Sequence, residues 1–201
     1  MRDRSPSYLK IRGHSLPSNE TLGKETRMKK LSIVTAVLLA FAASAAQAEK
    51  LKVRLSGYQE VPMSLSSAGV GEFEAQINGE GQDLRISWEL SYNEGFATPV
   101  QQAHIHFGQR HTNGGISIFL CTNLGNGPAG TQACPPGPVT VSGEATFADV
   151  IGPAGQLISA GEIEEIVAAI RAGVAYVNIH TEAFPGGEVR GQFRGRRGPR
   201  P

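Results

Sequence analysis

The chain has 201 residues, with 19 Lys+Arg against 18 Asp+Glu, 40% hydrophobic residues and 6% aromatic. The formal charge of +1 hides an uneven division: residues 1–48 carry 8 basic and 3 acidic residues, whereas Glu49–Pro201 carries 11 basic and 15 acidic. A mildly acidic main body gives no electrostatic footing for nucleic acid or an anionic membrane surface, and its length suits one domain.

Residues 1–27 are polar, hold Pro6 and Pro17, and show no hydrophobic period. They are expected to be a non-native extension upstream of a start at Met28. From there "MKKLSIVTAVLLAFAASAAQA" joins two lysines, an apolar run and the small-residue end Ala46-Gln47-Ala48. That is the pattern of a secretory signal peptide over residues 28–48, cleaved after Ala48. The apolar run from Leu31 to about Ala43 is short for a membrane span. The expected mature chain is exported, periplasmic or secreted, with no stable membrane insertion after cleavage.

Beyond Ala48 the period of the apolar residues is two. In "LKVRLSG", Leu51, Val53 and Leu55 alternate with Lys52, Arg54 and Ser56. "GEFEAQIN" and "LRISWELS" alternate in the same way around "NGEGQ", which predicts a hairpin. Further strands are expected near 102–107, 115–120, 138–147, 174–180 and 187–194. Half-apolar strands of this kind suit antiparallel sheets with one wet face. Cys121 and Cys134 bracket "CTNLGNGPAGTQAC", a loop with no apolar pattern. An even pair in an exported chain favours a disulfide, worth about 3 kcal/mol for a loop of this length.

One segment departs from period two. In "SAGEIEEIVAAIRAG", Ile163, Ile166, Val167 and Ile170 form a helical stripe, with Ser159 and Glu162 spaced as a capping box and Gly173 as the stop. The expected fold is all-β: an antiparallel sandwich or open barrel of the immunoglobulin or superoxide-dismutase kind, with one short inserted helix near 160–172. Residues 195–201 read as a solvated basic tail.

Three phrases, "LSGYQEVP" (55–62), "AHIHFG" (103–108) and "AIRAGVAYVNIHTEAFPGGEVRGQ" (169–192), resemble the CHRD domain, named after chordin and found in many secreted bacterial proteins. The resemblance spans nearly all of 51–194, so a single domain over 49–194 is expected. It implies an extracellular β-sandwich-like domain with a suggested relationship to copper/zinc superoxide dismutases. Growth-factor binding in chordin belongs to cysteine-rich modules that two cysteines cannot build.

Strand parity then groups the polar residues. Ala103, Ile105 and Phe107 take the apolar face, leaving His104 and His106 on the other; Asn178 and His180 oppose Val177 and Ile179; Glu188 and Arg190 oppose Val189. If these strands are neighbours, one outward patch collects His104, His106, Asn178, His180, Glu188 and Arg190. Residues two apart on a strand lie about 6.5–7 Å apart, so two imidazoles can converge on one ion, and neutral imidazole suits copper and zinc. In this reading His104, His106 and His180 are the ligands. Glu188 or His111, from the loop "RHTNGG", is then a fourth ligand or an outer partner. The competing reading is a hydrogen-bonded network that locks the strands, with Glu188 and Arg190 paired across them.

No catalytic set is apparent: there is no G-x-S-x-G elbow, no facing carboxylate pair and no cysteine in a nucleophile's setting. A dismutase would need further histidines and an aspartate. The expectation is an exported, non-catalytic binding or structural module engaging a protein or extracellular polymer. The alternative is a mononuclear copper- or zinc-binding protein.

Overall fold

The computed structural model describes residues 48–196, all within the compact unit Ala46–Pro201. The expected extension, the signal segment and all but the start of the basic tail lie outside the described residues. Eight strands form: β1 (Glu49–Ser56), β2 (Val70–Asn78), β3 (Arg85–Tyr92), β4 (Val100–Phe107), β5 (Gly115–Thr122), β6 (Val139–Ala145), β7 (Ala175–Thr181) and β8 (Val189–Gln192). They make one antiparallel sheet in the order β5-β4-β7-β8-β1-β2-β3-β6.

The sheet curls until its outermost strands nearly meet. Gln132 spans the remaining gap, its Nε2 donating to the carbonyls of Leu120 on β5 (3.3 Å) and Ser142 on β6 (3.0 Å). Of the two expected architectures, the nearly closed barrel is the one formed; closure removes most exposed strand edge. The disulfide Cys121–Cys134 is present and ties the segment that carries Gln132.

Alternation decides what lies inside. Val53, Leu55, Phe73, Ile86, Leu90, Ile105, Ile118, Val177, Ile179 and Val189 are all buried in one core. Phe73 stacks on Trp88 at 6.4 Å and meets Phe193 edge-on at 5.8 Å. Gly143, paired with Trp88 across β3 and β6, is there because a Cβ would sit 2.7 Å from the indole Cζ2. Outside β1 and β2, Lys52 bridges Glu72 and Glu74 at 2.6 Å each; exposed pairs of this kind contribute up to about 1 kcal/mol.

Helix α1 (Ile163–Ala172) buries Ile163, Ile166, Val167 and Ile170 as its stripe requires, and Gly173 ends it in the left-handed conformation (φ 74°). It starts later than the capping-box spacing suggests. Glu162 is the N-cap without a side-chain cap bond, and its carboxylate instead accepts from the Ser159 N–H (2.6 Å). Only that half of the expected box forms, before the helix. A complete box forms at Thr146 and Asp149, in front of the 3₁₀ turn Phe147–Asp149. Glu49 at the start of β1 is held by Arg171 (2.9 Å) and by Arg196 (2.6 Å), so the basic tail begins tethered rather than free.

The expectation of one wet face holds for only half of the sheet. Along β1 to β3 the outward residues are open, but every residue of β7 and β8 is buried. The loops 57–69 and 108–114 lie over that side. Gln59 Oε1 accepts from the Gln192 N–H (3.4 Å), Ser67 donates to Glu188, and Arg190 donates to the carbonyls of Gln109 and Thr112.

Candidate metal centre

The register between β4 and β7 sets His104 opposite Asn178, His106 opposite Tyr176 and Gln102 opposite His180. On the other side of β7, Asn178 faces Arg190 and Tyr176 faces Gln192. One outer face of three adjacent strands therefore carries the residues that parity groups, with the difference that this face is covered. His104 is 0% exposed, and His106 and His180 are 6% exposed.

The three imidazoles converge. Ring centroids lie 5.3 Å (His104–His106), 4.9 Å (His104–His180) and 5.6 Å (His106–His180) apart. One nitrogen from each lies within 4.8 Å of the others. His106 Nδ1 meets the Gly114 carbonyl at 3.0 Å, and His180 Nδ1 meets the Pro185 carbonyl at 3.0 Å. A carbonyl only accepts, so each Nδ1 carries the proton and, in a neutral ring, Nε2 keeps its lone pair. Those two Nε2 atoms and both ring nitrogens of His104 are buried without a hydrogen-bond partner among the described residues.

Neutrality follows from the surroundings. Burial, with repulsion from His180 and then His106, drives His104 down to about 2. Burial, then His180, drives His106 down to about 3 against the pull of the Gly114 carbonyl, and burial lowers His180 as well. The cluster thus presents unprotonated nitrogens, the state metal binding requires. An ion with ligands at about 2.0–2.1 Å in tetrahedral array separates its nitrogens by roughly 3.3 Å, against separations of up to 4.8 Å in the cluster.

A packed shell holds the rings. Phe119 meets His104 edge-on at 4.4 Å, and Tyr176 stacks on His106 at 4.7 Å with the planes 6° apart. The Arg190 guanidinium covers the other side of Tyr176, 3.5 Å from its centroid. Tyr176 Oη accepts from the Gly114 N–H (3.1 Å), fixing the residue whose carbonyl orients His106. Gly187, at φ +124°, lies so close to Asn178 that a Cβ would sit 2.4 Å from Nδ2.

The other expected site residues divide. Asn178, Glu188 and Arg190 are buried on the same side, but Glu188 and Arg190 do not pair. Glu188 accepts from Ser67, from the Ala97 N–H (3.0 Å) and from Thr181 (2.7 Å). Arg190 donates to Thr112 O (2.8 Å), Gln109 O (3.1 Å) and Gln192 Oε1 (2.8 Å). His111 is exposed in the covering loop with φ 66° and does not join the cluster. Parity reasoning passed over Tyr176 as a site residue, although it shares the face of Asn178 and His180. It also passed over Glu60, which lies within "LSGYQEVP" and is 5% exposed. Burial pushes the Glu60 carboxyl up to about 7, against the Val61 N–H, Arg190 and Asn178.

The family model of the CHRD domain matches residues 51–193, well over half of the chain, and the chain belongs to that family. No curated protein and no solved structure matches it.

Proposed function

We propose that this member of the CHRD family is an exported module that binds a single copper or zinc ion through His104, His106 and His180. The family supports a non-catalytic module in the broad sense. The observation that carries the metal reading is the state of the four partnerless ring nitrogens on His104, His106 and His180. A network that merely locked strands would satisfy its buried polar atoms, because each one left bare costs about 1–3 kcal/mol. Four bare nitrogens cost roughly 4–12 kcal/mol together, comparable to the whole stability of an ordinary domain. Each neutral ring has one lone pair, so a metal ion takes three of the four nitrogens and removes most of the cost, while the protonated nitrogen of His104 keeps its own. Tyr176, backed by Arg190, is then the packed surround that fixes His106, Asn178 and Glu188 belong to the buried strands beside the site, and His111 plays no part.

The test is metal content. The purified chain, loaded with Cu(II) or Zn(II) and dialysed, is expected to retain about one ion, and His104→Ala or His180→Ala to retain almost none. Retention well below one ion, or retention unaffected by both changes, defeats the proposal. Export rests on the signal pattern over residues 28–48, and a disulfide is compatible with it. No helix among the described residues is long and apolar enough to cross a membrane. Mass spectrometry of the exported protein is expected to find Glu49 as its first residue; a retained segment 28–48 would refute cleavage.

A further inference from the structure

We propose that the three-histidine site selects monovalent copper over divalent ions, because its donors are all neutral and a buried arginine cation lies on Tyr176, the ring that stacks on His106. This rests on the metal-site reading above and names the ion.

Three features converge. The first is the donor set: the cluster contains three imidazoles, no carboxylate and no thiolate. Neutral ligands cancel none of the ion's charge. The cost of burying an ion grows with the square of its charge, so a dication pays about four times what a monocation pays in the same surroundings. Sites that hold zinc on three histidines escape this by keeping an open position for water. Here His104 is fully buried and the other two rings are 6% exposed, with Phe119 against one ring and Tyr176 against another.

The second feature is Arg190. Its guanidinium lies 3.5 Å from the Tyr176 ring centre, and that ring lies 4.7 Å from His106 and parallel to it. Arg190 is 1% exposed, and its hydrogen bonds go to two backbone carbonyls and a side-chain amide. It forms no ion pair with a carboxylate among the described residues: Glu188, two residues away on the chain, is engaged by Ser67, Ala97 and Thr181, and Glu60, whose charge acts on Arg190, is held back from ionising by its own burial. A fixed positive charge repels a dication twice as strongly as a monocation. The third feature is chemical: of the common monovalent ions, sodium and potassium seek oxygen, whereas copper takes imidazole nitrogen. Three donors without a fourth also fall short of the four that structural zinc takes.

The test measures Cu(I) affinity of the purified chain, anaerobically with ascorbate, against a chromophoric Cu(I) chelator, and Zn(II) affinity against a zinc chelator. The wild type is expected to hold one Cu(I) more tightly than one Zn(II). Arg190→Gln is expected to narrow that preference about tenfold, equivalent to a fall of about 59 mV in the Cu(II)/Cu(I) potential. Arg190→Lys, which keeps the charge, should retain most of it. Zn(II) bound as tightly as Cu(I) by the wild type, with His104→Ala abolishing both, overturns the preference and leaves the site standing. A folded Arg190→Gln with an unchanged preference overturns the role of the charge. If the wild type binds neither ion, the site itself is refuted. Should both Arg190 variants fail to fold, the wild-type comparison alone decides.

Discussion

Replacing His104 by leucine separates a metal site from a structural network more sharply than any loss-of-binding variant. His104 is fully buried with neither ring nitrogen bonded, so the apo protein bears about 1–3 kcal/mol for each. Leucine removes both penalties in a similar volume. It forfeits the edge contact with Phe119, about 0.5–1.5 kcal/mol, and brings some misfit. The balance is a gain of about 1–3 kcal/mol, which for a domain of this size raises the melting temperature by roughly 2–12 °C. In the wild type, free metal at a thousand times its Kd adds about 4.1 kcal/mol, more than the gain from leucine, and His104→Leu should lose that increment altogether. Thermal unfolding followed by circular dichroism, in EDTA and again with excess ion, reads both effects. The expected result is crossing behaviour: the variant melts above the wild type in EDTA and below it with metal. If His104→Leu melts well below the wild type in EDTA, and metal shifts neither protein, the imidazole is a structural element and the reasoning fails.

The three histidines are held neutral in the fold but titrate near 6.5 when unfolded, so the unfolded state binds more protons below that pH and stability is lost as the pH falls. The metal-free protein should lose up to about 4 kcal/mol per pH unit below pH 6, with one third of that slope gone in His104→Leu; a flat profile between pH 6.5 and 5 contradicts it. Glu60 acts in the opposite sense. Its carboxyl is raised to about 7, so its contribution is full below the unfolded value of about 4.5 and is lost as the pH rises through 7. Glu60→Gln should therefore be more stable than wild type by about 1–3 kcal/mol at pH 8 and equal to it near pH 4.5; a pH-independent difference argues against a buried carboxyl. Removing the Cys121–Cys134 bridge as a double alanine variant should cost about 3 kcal/mol, or roughly 6–12 °C in melting temperature; a shift under 2 °C would show that Gln132 and its neighbours hold the seam unaided.

The strands and the side-chain grouping were legible because period two is a backbone property. Once Ile105, Val177 and Val189 are assigned inward, His104, Asn178 and Arg190 must share the opposite face, whatever covers it. Burial of that face was not legible. It depends on where the loops 57–69 and 108–114 fold; the first is held by the side chains of Gln59 and Ser67, but the second holds the strands largely through backbone groups, the carbonyls of Gln109, Thr112 and Gly114 accepting from Arg190 and His106. Main-chain atoms are the same at every position, so no residue pattern announces them. The helix start moved for a related reason, since Glu162 found the Ser159 N–H ahead of the helix instead of capping it.

The two halves of the barrel make opposite use of the same strand geometry. On β1 and β2 the outward positions carry Lys52, Glu72 and Glu74, which meet water at little cost. On β4, β7 and β8 the outward positions carry histidines, Asn178 and Arg190, which are taken out of water, two of the histidines keyed by carbonyls that fix one tautomer. If stability alone governed these positions, apolar residues would serve better, because they need neither orienting carbonyls nor partners. This covered face instead leaves Nε2 of His106 and His180, both ring nitrogens of His104 and Asn178 Oδ1 without partners among the described residues, a cost that the proposed ion would offset at the histidines. The loops exclude water and orient the rings, and the sheet supplies the spacing.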